Sequence, residues 1–116
     1  MNHKELYGVS IRDGFNKFIA ENPHIYKSFE EQTLRAIKKG RTKISSDLII
    51  NYIRWEQFIE SSDEHFKINN SYSAHIARFF IKQNPQYSDL FNFRKLRSEE
   101  DGQYMSIDEN GQISFL

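Results

Sequence analysis

Phe15, Phe18 and Ile19 recur three and four positions apart, the period of one helix face. Asp13 can cap this segment, and Asn22-Pro23 stops it, because the residue before proline is pushed out of the α region. The same dipeptide can start a second helix, with Asn22 as N-cap and Pro23 in the first turn. Tyr26, Phe29, Thr33 and Ile37 continue at helical spacing, and Lys38-Lys39-Gly40 reads as a C-terminus. After the basic turn 40–46, Ser45 caps the strongest helix, with Ile44 and Ile49 placed as a hydrophobic staple. Leu48, Tyr52, Trp55 and Ile59 form one stripe along it, widened by Ile49, Ile50 and Ile53. Apolar residues on so many sides predict a central helix, with Tyr52 and Trp55 in the core.

Phe66-Lys67-Ile68 alternates apolar and polar, which predicts a very short strand. A helix over 73–83 buries Ile76, Phe79 and Phe80, with His75 partly buried and structural, and ends at Asn84-Pro85. A further helix is expected over 86–97, burying Leu90, Phe93 and Phe91. Phe-Ile-x-x-Asn-Pro occurs at 18–23 and again at 80–85, and reads as reused stop-and-start grammar, not a duplication. Asn110-Gly111 between alternating residues signals a hairpin. A three-residue loop, Glu109-Asn110-Gly111, pairs Ile107 with Ile113 and Met105 with Phe115, giving one apolar face.

These elements predict a single mainly α domain with a small C-terminal β-hairpin. From Ser45 the order is helix, short strand, helix, helix, hairpin, which is winged-helix-like. Residues 1–44 are then a two-helix N-terminal extension and 45–116 the core, with 109–111 as the wing tip. A non-winged helical bundle with the hairpin on one side is the alternative.

Charge adds a partner question. The 116 residues carry 16 Lys and Arg against 16 Asp and Glu, but every base precedes Ser98 while five acids follow it. The body could attract a polyanion that the tail repels. A winged helix would read DNA through 86–97, with Gln86, Ser88 and Asn92 at base edges and Arg94, Lys95 and Arg97 on phosphates. Lys38, Lys39, Arg41 and Lys43 form a second basic patch, and Lys67 and Arg78 add donors. The acidic wing tip, Asp108-Glu109, and Asp89 oppose phosphate contact. A protein partner, either a host protein or a second copy of the chain as a homodimer, is the competing expectation.

Catalysis has little to stand on. With no cysteine and four histidines, none in an HExxH or His-x-x-x-His pair, neither a metal site, a cofactor nor catalytic residues are expected. Asp63-Glu64-His65-Phe66-Lys67 fits no defensible nuclease spacing, so a metal-dependent nuclease is a remote alternative. Absence of cysteine fits a reducing compartment. Neither a signal peptide nor a membrane span is expected, since no apolar run nears the ~18 residues a span needs.

Ile53-Arg54-Trp55-Glu56, Phe66-Lys67-Ile68-Asn69-Asn70, Ala77-Arg78 and Asn84-Pro85 together resemble small proteins encoded by phages and prophages, whose role is generally unassigned. The resemblance runs from about Phe15 to Arg97. It implies a phage or mobile-element origin and the host cytoplasm as the compartment, and carries no catalytic residue across.

Overall fold

The computed structural model describes residues 3–63, 66–93, 106–107 and 113–114, with side chains described only within 11–93. Four helices are present among them: α1 (His3–Glu21), α2 (Pro23–Lys38), α3 (Ser46–Glu60) and α4 (Tyr72–Gln83). The helices pack pairwise, with α4 against α1, α2 and α3, and α2 also against α1 and α3. The core they enclose is aromatic. Phe15, Phe29, Phe79 and Phe80 are fully buried, joined by Ile19, Ile25, Ile50, Ile53 and Ile76. Phe79 meets Tyr26 edge-on at 4.6 Å and Phe15 at 6.2 Å, tying three helices together. Thr33, buried on α2, satisfies its hydroxyl on the Phe29 carbonyl at 2.8 Å.

α1 begins ten residues before Asp13, which therefore lies inside the helix and caps nothing. No proline precedes it to stop the chain, and Gly8 costs only about 1 kcal/mol within a helix. Gly14 lets α4 come close: a methyl there would meet the Tyr72 hydroxyl at 2.8 Å.

Asn22 does not cap α2, although Pro23 stands in its first turn. Its backbone N–H and its side-chain amide both donate to the Phe18 carbonyl at 2.9 Å, closing the end of α1. Asn84 repeats the arrangement on Phe80, at 2.9 and 3.0 Å. The repeated Phe-Ile-x-x-Asn-Pro segment is thus a helix stop: asparagine seals the last carbonyls and proline forbids the next turn. Asn22→Ala and Asn84→Ala are each expected to lower stability by about 1 kcal/mol, read as a lower midpoint in chemical unfolding. An unchanged midpoint in both would mean that proline alone ends these helices.

α2 ends in a Schellman turn. Gly40, at φ 95°, donates to the Ile37 carbonyl, and Arg41 donates to that of Ala36. The chain then returns to α3, where the Ser45 hydroxyl accepts from the Leu48 N–H at 3.2 Å as the expected cap. Loss of this bond in Ser45→Ala is expected to cost about 1 kcal/mol, measured against wild type by thermal unfolding.

Three further expectations need correction. First, Phe66–Ile68 forms no strand. The segment is fixed from α3 instead: the Arg54 guanidinium donates to the Ile68 carbonyl at 3.0 Å and to Asn70 Oδ1 at 2.6 Å. Second, 86–93 is not a helix. A single 3-10 turn, Pro85–Tyr87, is followed by a bend that buries Leu90 and Phe91. The Leu90 carbonyl accepts from the Ile44 N–H at 2.9 Å, so it is committed to a tertiary bond instead of a helical one. Arg94, Lys95 and Arg97 lie outside the described residues. Third, α3 is not buried all round: only Ile49, Ile50 and Ile53 face the core.

At the C-terminus, β1 (Ser106–Ile107) pairs antiparallel with β2 (Ile113–Ser114), placing Ile107 opposite Ile113. β2 runs beside α1. The proposed loop 109–111, Met105 and Phe115 lie outside the described residues. Without the first strand and without a helix over 86–93, the described elements do not spell a winged-helix order. What they form is a mainly helical domain.

Candidate functional site

The side of α3 turned away from the core carries Leu48, Tyr52, Trp55, Phe58 and Ile59. All five are between 44% and 76% exposed. Tertiary packing explains which apolar face won. Ile49, Ile50 and Ile53 fall on the side that meets α2 and α4, and the helix period sends Leu48, Tyr52, Trp55 and Ile59 the opposite way. The Trp55 and Phe58 rings stack on each other at 5.8 Å while both stay more than half exposed. Five large hydrophobic side chains on one helix exceed the scattered exposure usual on monomers.

Beside this stripe lies an open groove of about 1260 Å³, between the second half of α3 and the segment 61–70. Trp55 and Phe58 form its α3 wall, and Phe66, Lys67 and Asn69 lie on the other side. Arg54 braces the groove, adding a bond to Asn51 Oδ1 at 2.8 Å to those it makes with the loop. Glu56, at the edge of the stripe, accepts from the Ser28 hydroxyl at 3.0 Å, which fixes α3 to α2.

The predicted nucleic-acid contacts divide. Lys38, Lys39, Arg41 and Lys43 are all exposed around the α2–α3 turn. Lys43 Nζ donates to the Asp89 carbonyl, so the turn lies against the 86–92 segment, whose Gln86, Ser88 and Asn92 are also exposed. Lys67 belongs instead to the groove beside α3. Arg78 is half-buried, its guanidinium 4.4 Å over the Phe93 ring.

Chemistry is sparse. His75 is buried and stacks on Phe15 at 5.6 Å. Burial, reinforced by the charges of Arg12 and Arg78, pushes its pKa down to about 4, so the ring is neutral at pH 7. Burial also raises Tyr26, with the Glu30 carboxylate adding to it, and raises Tyr72. These groups sit in the packing between helices, not in the groove. Among the described residues no cluster of three or more His, Asp or Glu could hold a metal, and no helix is long and apolar enough to cross a membrane. Of Asp63-Glu64-His65, only Asp63 is described, and its N–H donates to the Ser61 hydroxyl.

The exposed stripe was visible in the sequence as a stripe, but its direction was not. A helix with two apolar faces leaves the choice of inner face to its neighbours. The one sequence signal that could have separated them is the all-isoleucine composition of the opposite face, Ile49, Ile50 and Ile53. No protein-family model matches the chain, and no curated protein and no solved structure is significantly similar to it.

Proposed function

We propose that this domain is a non-enzymatic protein-binding module whose contact surface is the outer face of α3, and whose docking element is a helix. The observation that carries the reading is the exposed row Leu48, Tyr52, Trp55, Phe58 and Ile59. The spacing of four, three and four between Leu48, Tyr52, Trp55 and Ile59 is the seam spacing of paired helices. Tyrosine and tryptophan are also the residue types that dominate binding energy at interfaces. A phage or mobile-element origin, implied by the short-segment resemblance, makes a host cytoplasmic protein one class of partner and a second copy of the chain another.

The test is a photo-crosslinking amino acid at Tyr52, compared with one at exposed Lys27 on α2. Irradiation in cells or lysate is expected to give a discrete protein adduct from position 52 and none from 27. No adduct with any protein, or equal adducts from both positions, would overturn the reading.

The exposed Lys38, Lys39, Arg41 and Lys43, lying against 86–92, favour a second reading in which the α2–α3 turn contacts nucleic-acid phosphates. If so, a mobility shift on random duplex DNA at low salt should weaken in Lys39→Ala with Arg41→Ala. The salt slope should flatten by about one unit for each phosphate no longer neutralised. No shift in the wild type would end that reading. A hairpin around the β1–β2 pairing, packed on α1, would close the domain, and deleting residues 102–116 is then expected to lower the melting temperature. An unchanged melting temperature would make the tail dispensable.

A further inference from the structure

We infer that the helix which docks on the outer face of α3 is the α3 of a second copy of this chain, crossed antiparallel. This rests on the proposal that the face is a protein contact, and deepens it.

Self-complementarity is the first argument. Read along α3, the seam runs Leu48, Tyr52, Trp55, Ile59: aliphatic, aromatic, aromatic, aliphatic. The order is the same from either end. A two-fold axis between Tyr52 and Trp55 therefore sets Leu48 against the second copy's Ile59, and Tyr52 against its Trp55. An isologous interface requires that kind of match, one patch meeting itself.

Charge is the second. In an antiparallel pair each shoulder of the seam meets the same shoulder of the partner, and like charges there would veto pairing. One shoulder carries Asn51 and Phe58, both uncharged. The other carries Glu56, already bonded to Ser28, and the buried Ile49. Asp47, Arg54 and Glu60 lie off the four-residue seam in the helix period, and the two-fold between Tyr52 and Trp55 sets Glu56 nearest the second copy's Ile49 and about five residues along the axis from its Glu56.

Area is the third. At 44–76% exposure, and with aromatic side chains of 150–250 Å², the five residues offer roughly 600 Å² of apolar surface. A standard interface takes about 800 Å² from each partner, and the polar shoulders supply the remainder. The expected affinity is micromolar, because area alone does not secure tighter binding.

Sedimentation equilibrium from about 1 to 100 µM tests the inference, since micromolar dimers dissociate in that window. Wild type is expected to pass from monomer to dimer. Leu48→Glu with Trp55→Glu should remain monomeric throughout, with unchanged helical circular dichroism. A cysteine pair guards against misfolding of that variant. The chain has no cysteine, and Leu48→Cys with Ile59→Cys places thiols about 16 Å apart along one helix, beyond an internal disulfide. Mild oxidation should yield a covalent dimer from the pair, and far less from Leu48→Cys alone. A wild type that is monomeric across the range, with no covalent dimer from the pair, overturns self-pairing. It leaves the wider reading to be judged by adducts from position 52. A dimer indifferent to both glutamates places the contact elsewhere and also overturns the inference.

Discussion

Phe79→Ala is expected to destabilise the domain by about 3–5 kcal/mol, the range for truncating a buried aromatic. Phe79 is fully buried on α4, and its ring touches Tyr26 of α2 and Phe15 of α1. Removing it opens a void where three helices meet, and three helix backbones cannot all close on it. Small domains hold only about 5–15 kcal/mol in total, so the variant should lose much of its reserve. Chemical unfolding followed by circular dichroism reads this as a large fall in midpoint. Phe79→Leu keeps most of the volume and should cost clearly less. Equal losses for Leu and Ala would mean that ring geometry, not volume, decides the site.

His75 should govern the acid limb of stability. Its folded pKa, about 4, lies below the ordinary value of 6.5, because burial and then Arg12 and Arg78 disfavour the imidazolium. The unfolded chain therefore binds a proton that the folded chain refuses. The contribution is complete above pH 6.5 and is lost as pH falls towards 4, with a slope no steeper than about 1.4 kcal/mol per pH unit. Below about pH 4 both states are protonated and stability no longer varies through this ring. Unfolding midpoints at pH 7.0, 6.0 and 5.0 should fall in wild type, and fall less in His75→Gln. Matching pH profiles for the two chains would mean that other groups set the acid limb. Phe15, stacked on the ring, gives the neutral form its packing partner.

How far the sequence carried depended on whether local chemistry or neighbours decided each point. The α3 boundaries, the Ser45 cap and the Gly40 turn were legible, since capping oxygens and left-handed glycines act within one turn of chain. The Asn-Pro stops were legible as stops, while the partner expected for Asn22 was reversed. Both asparagine side chains reach back to the preceding phenylalanine carbonyl instead of forward to the next helix. The start of α1 was missed because Asp13 resembles a cap and nothing local forbids helix before it. The helix expected over 86–97 lost its described part to the Ile44–Leu90 bond, which joins residues far apart in sequence.

For the candidate site the position was legible and the direction was not. Leu48, Tyr52, Trp55 and Ile59 form a stripe in any helical reading. Pattern alone assigned the stripe to the core, since large aromatics are usually inside. The structure gives the inner face to the three isoleucines, and so turns a packing stripe into a surface one.

The chain contains one tryptophan, and it stands in the middle of that surface. Trp55 fluorescence is therefore the most direct test that the outer face of α3 is a contact face. Emission and acrylamide quenching should be followed from about 1 to 100 µM protein, the window in which a micromolar contact forms. A blue shift and falling quencher access are predicted as concentration rises, with constant circular dichroism. Emission that stays red and fully quenchable at every concentration, and also in any adduct trapped from position 52, would contradict a contact role for this face.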